Sequence, residues 1–205
     1  MNKKTMSKLV LGLLAALSFN AIAQENPWMV RVRATNLNWD NGQTSTVQAL
    51  DVNAKDKTIP EFDITYFFNK NVAAELVLTY PQKVDIRAGT LGNAKLSEVK
   101  ALPPTLLLQY HFTDFGPLKP YVGAGVNYTR FSSYKNEPGV DTSIDKSSVG
   151  LAAQIGADYM LTKNWGINLD VKYINIKTEV YLAGAHVGNL DLSPIATSVG
   201  VTYKF

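Results

Sequence analysis

Eight segments of this chain alternate with period two, and one of the two registers carries no charge anywhere. The segments lie near residues 28–34, 60–68, 72–80, 102–112, 120–128, 149–161, 165–173 and 195–205. Such alternation marks β-strands, whose side chains point in turn to opposite faces. The uncharged register is even-numbered in the first five segments and odd-numbered in the last three, and holds 43 positions. The opposite register carries nine charges: Arg31, Arg33, Glu61, Asp63, Glu75, Asp158, Asp170, Lys172 and Lys204. A water-soluble sandwich or lipocalin turns its charges outward around an apolar core. A barrel in lipid needs the reverse, because a Lys or Arg facing the mid-bilayer costs roughly 2–4 kcal/mol. The pattern therefore predicts an all-β fold: an eight-stranded antiparallel transmembrane β-barrel whose lipid face is the uncharged register.

The connections agree with that reading. Asn69-Lys70-Asn71 and Thr162-Lys163-Asn164 are tight turns, and residues 113–119 form a somewhat longer link. The other links, near 40–57, 88–100, 131–147 and 176–192, are long and polar. Short periplasmic turns opposite long extracellular loops are the outer-membrane arrangement. This topology puts Trp28, Phe68, Phe112, Tyr159, Trp165 and Phe205 at periplasmic strand ends, and Tyr80, Tyr128 and Tyr173 at outer ends. Amphipathic rings favour both interfaces, so these positions predict two aromatic girdles. A strand preference of aromatics alone does not place them at strand ends.

The first 23 residues stand apart. Lys3, Lys4 and Lys8 precede a short apolar run, and Ala21-Ile22-Ala23 is a small-x-small site. That order reads as a cleaved secretory signal peptide, leaving residues 24–205 as the barrel domain. Removing the three lysines leaves 17 basic residues against 17 acidic ones. The basic balance therefore belongs to the leader and argues for no nucleic-acid partner. After the leader no run of 18 apolar residues occurs, so no membrane helix is expected. The chain has no cysteine. Thiol catalysis and cysteine metal sites are excluded, and a closed barrel supplies stability without disulfides.

Leu102-Pro103-Pro104-Thr105-Leu106, Gln109-Tyr110-His111-Phe112, Lys119 to Tyr128, Trp165 to Tyr173 and the terminal strand resemble the OmpW family of outer-membrane proteins, which includes the alkane-uptake protein AlkL. The resemblance covers residues 24–205, with the long loops matching poorly. It implies an eight-stranded barrel with a narrow, partly apolar lumen. It also implies passage of small hydrophobic solutes, which enter from outside and leave sideways through a gap in the wall. At an apolar constriction formed in a relative by a Leu and a Trp, it assigns Val77 and Lys172 here, and Leu107 and Val77 suit an apolar upper funnel. Lys172 departs from that constriction and is expected to snorkel or to pair with Asp170 or Glu75. A terminal Phe205 with Tyr203 two residues earlier resembles the signal read by the barrel assembly machinery.

The residues bear on mechanism. Arg31, Arg33, Glu75, Asp158, Asp170 and Lys204 are expected to form a lumen charge network low or midway in the barrel. Buried charges must pair, and an eight-stranded interior is only just wide enough for side chains to fill. Such a network reads as a plug against straight aqueous flow. Pro81 and the pair Pro103 and Pro104 fall at similar heights on strands three and four. Proline has no N–H for the ladder, so these residues either mark a lateral opening or merely end the strands.

Catalysis finds no support in the motifs. The only two histidines, His111 and His186, are expected to lie far apart, and no G-x-S-x-G or P-loop occurs. No catalytic residue, metal or cofactor is expected. The partners expected are outer-membrane lipid and lipopolysaccharide, the assembly machinery and small hydrophobic solutes, with a monomer sufficient. Two other functions compete: a structural or surface-receptor barrel contacting phage, bacteriocin or host, and a weak ion-conducting pore.

Overall fold

The alternating segments become eight staves: β1 (Trp28–Trp39), β2 (Lys57–Phe67), β3 (Val72–Leu78), β4 (Thr105–His111), β5 (Leu118–Asn136), β6 (Ser147–Met160), β7 (Trp165–Ile174) and β8 (Pro194–Lys204). Each pairs antiparallel with the next, and β8 returns to β1 with Thr202 opposite Arg31. Closure gives the backbone groups partners inside the sheet, the condition lipid imposes on a spanning structure. The structure is a computed structural model that describes residues 26–39, 42–43, 52–54, 56–88, 94–136, 142–182 and 184–205. The signal peptide expected at 1–23 lies outside these residues.

The two registers separate as the charge pattern requires. Val32, Leu151 and Leu169 are exposed at 57%, 72% and 61%, whereas Arg31, Arg33, Asp63 and Lys172 are at most 2% exposed. Large apolar side chains outside and charges inside make sense only if the solvent around the barrel is lipid. At the periplasmic end the rings touch edge to face: Trp28 on Tyr66 at 4.9 Å, Trp165 on Tyr203 at 4.7 Å and Tyr203 on Phe205 at 4.9 Å.

Side chains shape the tight turns. The Asn69 Oδ1 accepts from the backbone N–H groups of Asn71 and Val72, both at 2.8 Å. The Thr162 hydroxyl accepts from the N–H of Trp165 at 2.9 Å. These are the local bonds that make Asn and Thr turn residues. Inside the barrel, small residues leave room for large ones. A side chain at Gly156 would collide with the ring and hydroxyl of Tyr121, and one at Gly123 with the side chain of Gln154.

The long connections carry further strands. Gln82–Ala88 and Ala94–Leu102 form a hairpin that continues β3 and β4 upward and pairs with the upper half of β5. Val52–Ala54 pairs with Gln82–Ala88. Gly42–Gln43, Thr142–Ile144, Lys177–Leu182 and Ala185–Asp191 form a second, four-stranded sheet at the extracellular end. Above the lipid the outer face of a strand meets water, so the uncharged outward register that marks the staves is no longer required there.

Candidate functional site

The lumen is stacked in three zones. In the lower middle, the inward residues of neighbouring staves build an ionic layer. The antiparallel register sets Arg31 opposite Asp63 and Arg33 opposite Glu61. The Arg31 guanidinium reaches Asp158 at 2.7 Å, Glu75 at 3.1 Å and Asp63 at 3.3 Å. Arg33 reaches Glu75 at 2.5 Å, Asp63 at 2.6 Å, Glu61 at 3.2 Å and Asp170 at 3.3 Å. Lys172 joins Glu61 at 3.1 Å and Asp170 at 3.6 Å. Tyr121 lies beneath Arg31 with the guanidinium 4.9 Å from the ring centroid, and its hydroxyl donates to Asp170 at 2.9 Å. Arg31, Arg33 and Lys172 are enclosed within this layer.

Below the layer a vestibule of about 250 Å³ faces the periplasmic end, lined by Met29, Phe67, His111 and Lys204 among others. His111 is a packed residue: Nε2 lies 2.9 Å from the Gln109 Oε1, and the ring sits between those of Phe67 and Tyr121. Among the described residues no group of three His, Asp, Glu or Cys could hold a metal ion.

Above the layer the inward residues turn apolar on β3 and β7, whereas Thr35 on β1, Thr105 on β4 and Asn127 and Thr129 on β5 are polar and buried. Val77 follows Glu75 up β3, and Ile174 follows Lys172 up β7. Val77, Leu107, Val99, Phe131, Ile174 and Leu192 belong to one buried cluster, with Trp39, Ile144 and Val180 packed against it. The void left in this upper chamber is about 20 Å³, room for roughly one water. Gln82 and Pro103 line it together with apolar neighbours.

The wall beside the chamber is interrupted twice. Between β3 and β4, Val77 pairs with Thr105, and the ladder resumes only at Gln82 opposite Ala101. Val77 and Gln82 both face inward although their parities differ, so the stretch 78–81 holds one residue more than 102–104, a bulge. The second interruption is longer. The β2–β3 pairing ends at Phe62 opposite Leu78, and pairing resumes at Ala54 opposite Ile86 in the same register. Residues 56–61 thus lie opposite 79–84 with no ladder pair between them among the described residues.

Proline borders both interruptions. The N–H of Phe67 points to β1 and that of Phe68 to β3, so even-numbered residues of β2 present their backbone to β3. The nitrogen of Pro60 therefore faces the unpaired side, where a donor would otherwise be stranded. By the same alternation Pro103 faces β3, whereas Pro104 faces β5 and its carbonyl accepts the N–H of Tyr128 at 3.1 Å. Side chains fill the gap: Ile59 and Gln82 on its two inner rims are each 2% exposed.

The model of the OmpW family matches residues 24–205. The chain belongs to the OmpW family. It is an outer-membrane barrel, similar to the uncharacterized outer-membrane protein y4mB of Sinorhizobium fredii, 43% identical over 188 residues that cover 88% of this chain and 80% of the relative. It is 29% identical over 195 residues to the dibenzothiophene metabolism operon protein PahQ of Pseudomonas aeruginosa, covering 89% of this chain and 90% of that one. The crystal structure of the outer membrane protein OprG from Pseudomonas aeruginosa matches with a TM-score of 0.76 at 27% identity, over 87% of this chain and 95% of that one.

In this OmpW-family barrel the residues singled out from sequence are distributed as follows. Arg31, Arg33, Glu75, Asp158 and Asp170 come together in one layer. Lys204 does not join them; its ammonium stacks on Phe67 at 4.9 Å, at the periplasmic mouth. Lys172, expected at a constriction, sits in the layer instead, and its carboxylate partners are Glu61 and Asp170. Val77 and Leu107 form the floor of the apolar chamber. Pro81 and Pro103 border the interruptions, and Pro104 is turned away from them. Tyr203 and Phe205 lie in the periplasmic girdle. Sequence reasoning missed Pro60 and Gln82. A proline inside an alternating segment was itself a signal, because it demands an unpaired side.

Proposed function

We propose that this barrel passes small hydrophobic molecules from outside into the outer-membrane bilayer. They enter the apolar upper chamber and leave sideways through the gap bordered by Pro60, Pro81 and Pro103. One observation carries the reading: a largely apolar chamber floored by a buried ionic layer and flanked by a stretch of wall without ladder pairs among the described residues. A solute in such a chamber has no exit downward, whereas the gap leads into hydrocarbon. The PahQ relative, named for an operon of dibenzothiophene metabolism, supports the same class of solute. In this reading the chain works as a monomer without catalysis. It loses residues 1–23 on export, sits among lipid and lipopolysaccharide, and is delivered by the assembly machinery through Tyr203 and Phe205.

The chain has no cysteine, so a reversible lock tests the exit. Pro60 and Tyr80 stand opposite one another in the register shared by the paired stretches above and below the gap. The variant Pro60→Cys/Tyr80→Cys is folded into liposomes and entry of a labelled hydrophobic compound is measured. Oxidation, verified by thiol titration, is expected to stop entry, and reduction to restore it. Equal entry in both states rules out this exit. Entry no faster than into empty liposomes turns attention to the extracellular sheet and surface partners.

A further inference from the structure

The upper chamber contains an amide among largely apolar neighbours. Gln82 is 2% exposed and its neighbours in the lining include Val99, Ala101, Pro103, Phe131 and Leu192. Its Nε2 donates to the Tyr80 carbonyl at 2.9 Å. That bond orients the amide, since the flipped form would set oxygen against oxygen. The Oε1 then has no hydrogen-bond partner among the described residues. Beside it in the lining, the Thr129 hydroxyl is already donating to Asn127 at 2.7 Å. Three residues before Gln82, the Thr79 hydroxyl is buried and equally without a partner. Both orphans lie on the segment that borders the wall gap.

A buried amide oxygen without a donor is costly, and burial sites that keep one are normally completed by water or ligand. An aliphatic side chain would fill this place without that cost if the chamber handled only hydrocarbons. We propose that the chamber prefers apolar molecules bearing a hydroxyl, alcohols or phenols, with the Gln82 Oε1 as acceptor. Thr79 offers such a hydroxyl a second partner on its way to the wall. This inference rests on the transport reading and names its substrate class. A pocket built around a hydrogen bond rejects the analogue lacking the donor more strongly than a purely apolar pocket rejects a change of shape.

Trp39 lines the same chamber, and a solute larger than the void must press against it or Phe131. Its emission therefore reports occupancy. The protein is folded into lipid vesicles with Trp28→Phe and Trp165→Phe, leaving Trp39 as the reporter. It is titrated with 3-nitrobenzyl alcohol, 3-nitrobenzyl methyl ether and 3-nitrotoluene, all quenchers and only the first a donor. The alcohol is expected to quench at a concentration about tenfold lower than the ether, after correction for lipid partitioning, about one hydrogen bond's worth of discrimination. Gln82→Met is expected to erase that difference while leaving the ether unchanged; Gln82→Leu repeats the test should the first variant misfold. A preference that survives in both variants, or none in the parent, overturns the proposal. Liposome entry of the same compounds separates the two readings. Entry without preference leaves transport standing and removes Gln82 from it. Gln82-dependent quenching without entry keeps the site and removes the lateral exit.

Discussion

Loss of a cation from the ionic layer should cost far more than loss of an acid. The layer holds three cations, Arg31, Arg33 and Lys172, against five carboxylates, Glu61, Asp63, Glu75, Asp158 and Asp170. Arg33 alone reaches four of the five, all within 3.3 Å. Arg33→Met keeps the length of the side chain and strands buried carboxylates, a loss of about 3–5 kcal/mol. Glu75→Gln removes one acid from the excess. Arg31 keeps Asp63 and Asp158, and Arg33 keeps Glu61, Asp63 and Asp170. Gln154 donates its Nε2 to Glu75, and by flipping its amide it can present its partnerless Oε1 to the new amide nitrogen. That change should cost less than about 1 kcal/mol. Urea unfolding in lipid vesicles, followed by tryptophan emission and by gel mobility, reads both. With a slope of about 2 kcal/mol per molar, Arg33→Met should lower the midpoint by roughly 2 M and Glu75→Gln by under about 0.5 M. Equal losses in the two variants would refute the idea that the layer is limited by its cations.

Three further outcomes are expected. Leu169→Arg, at a lipid-facing position of β7, should destabilise the barrel by about 2–4 kcal/mol in the same urea assay, whereas Thr197→Val, at an exposed polar position of β8, should not. Gly156→Val should cost about 1–3 kcal/mol, because the added carbon meets Tyr121 within the packed lumen, and near-ultraviolet dichroism of the tyrosines should change with it. Deleting Phe205 should slow insertion where the assembly machinery is supplied and leave spontaneous folding into thin bilayers within about twofold; an equal slowing in both would reduce Phe205 to a girdle residue.

What was legible in the sequence follows from what lipid forbids. A face without charge is an all-or-none requirement, so it survives in the sequence as an unbroken register and all eight staves could be read, although β1 and β5 run five and eight residues past their expected upper ends. The inward charges were legible as inward, because they occupy the other parity. Their partners were not. Arg31 and Asp158 are 127 residues apart and meet across the lumen, and Lys172 finds Glu61 across 111 residues. Alternation along a strand carries no information about which staves face one another across a narrow barrel. The extracellular strands were illegible for a different reason: Lys177-Thr178-Glu179-Val180-Tyr181 has no apolar face to announce it, and its strand is defined by pairing with Asp191 to His186.

The position of Pro60 joins the fold to the transport reading. An unpaired stretch of wall exposes backbone donors and acceptors to hydrocarbon, and each one left unsatisfied is costly there. A gap can persist only if its edges carry few such groups or if side chains cover them. Both devices operate here. Pro60 and Pro103 each remove a donor from the edge facing β3, and Ile59 and Gln82 seal the inner rims. The same residues that make the gap tolerable in the closed barrel therefore make it the cheapest part of the wall to open. The ionic layer below works in the opposite sense, since parting it strands several charges at once. The proposed sideways release rests on this difference in cost between a strongly held floor and a weakly held wall.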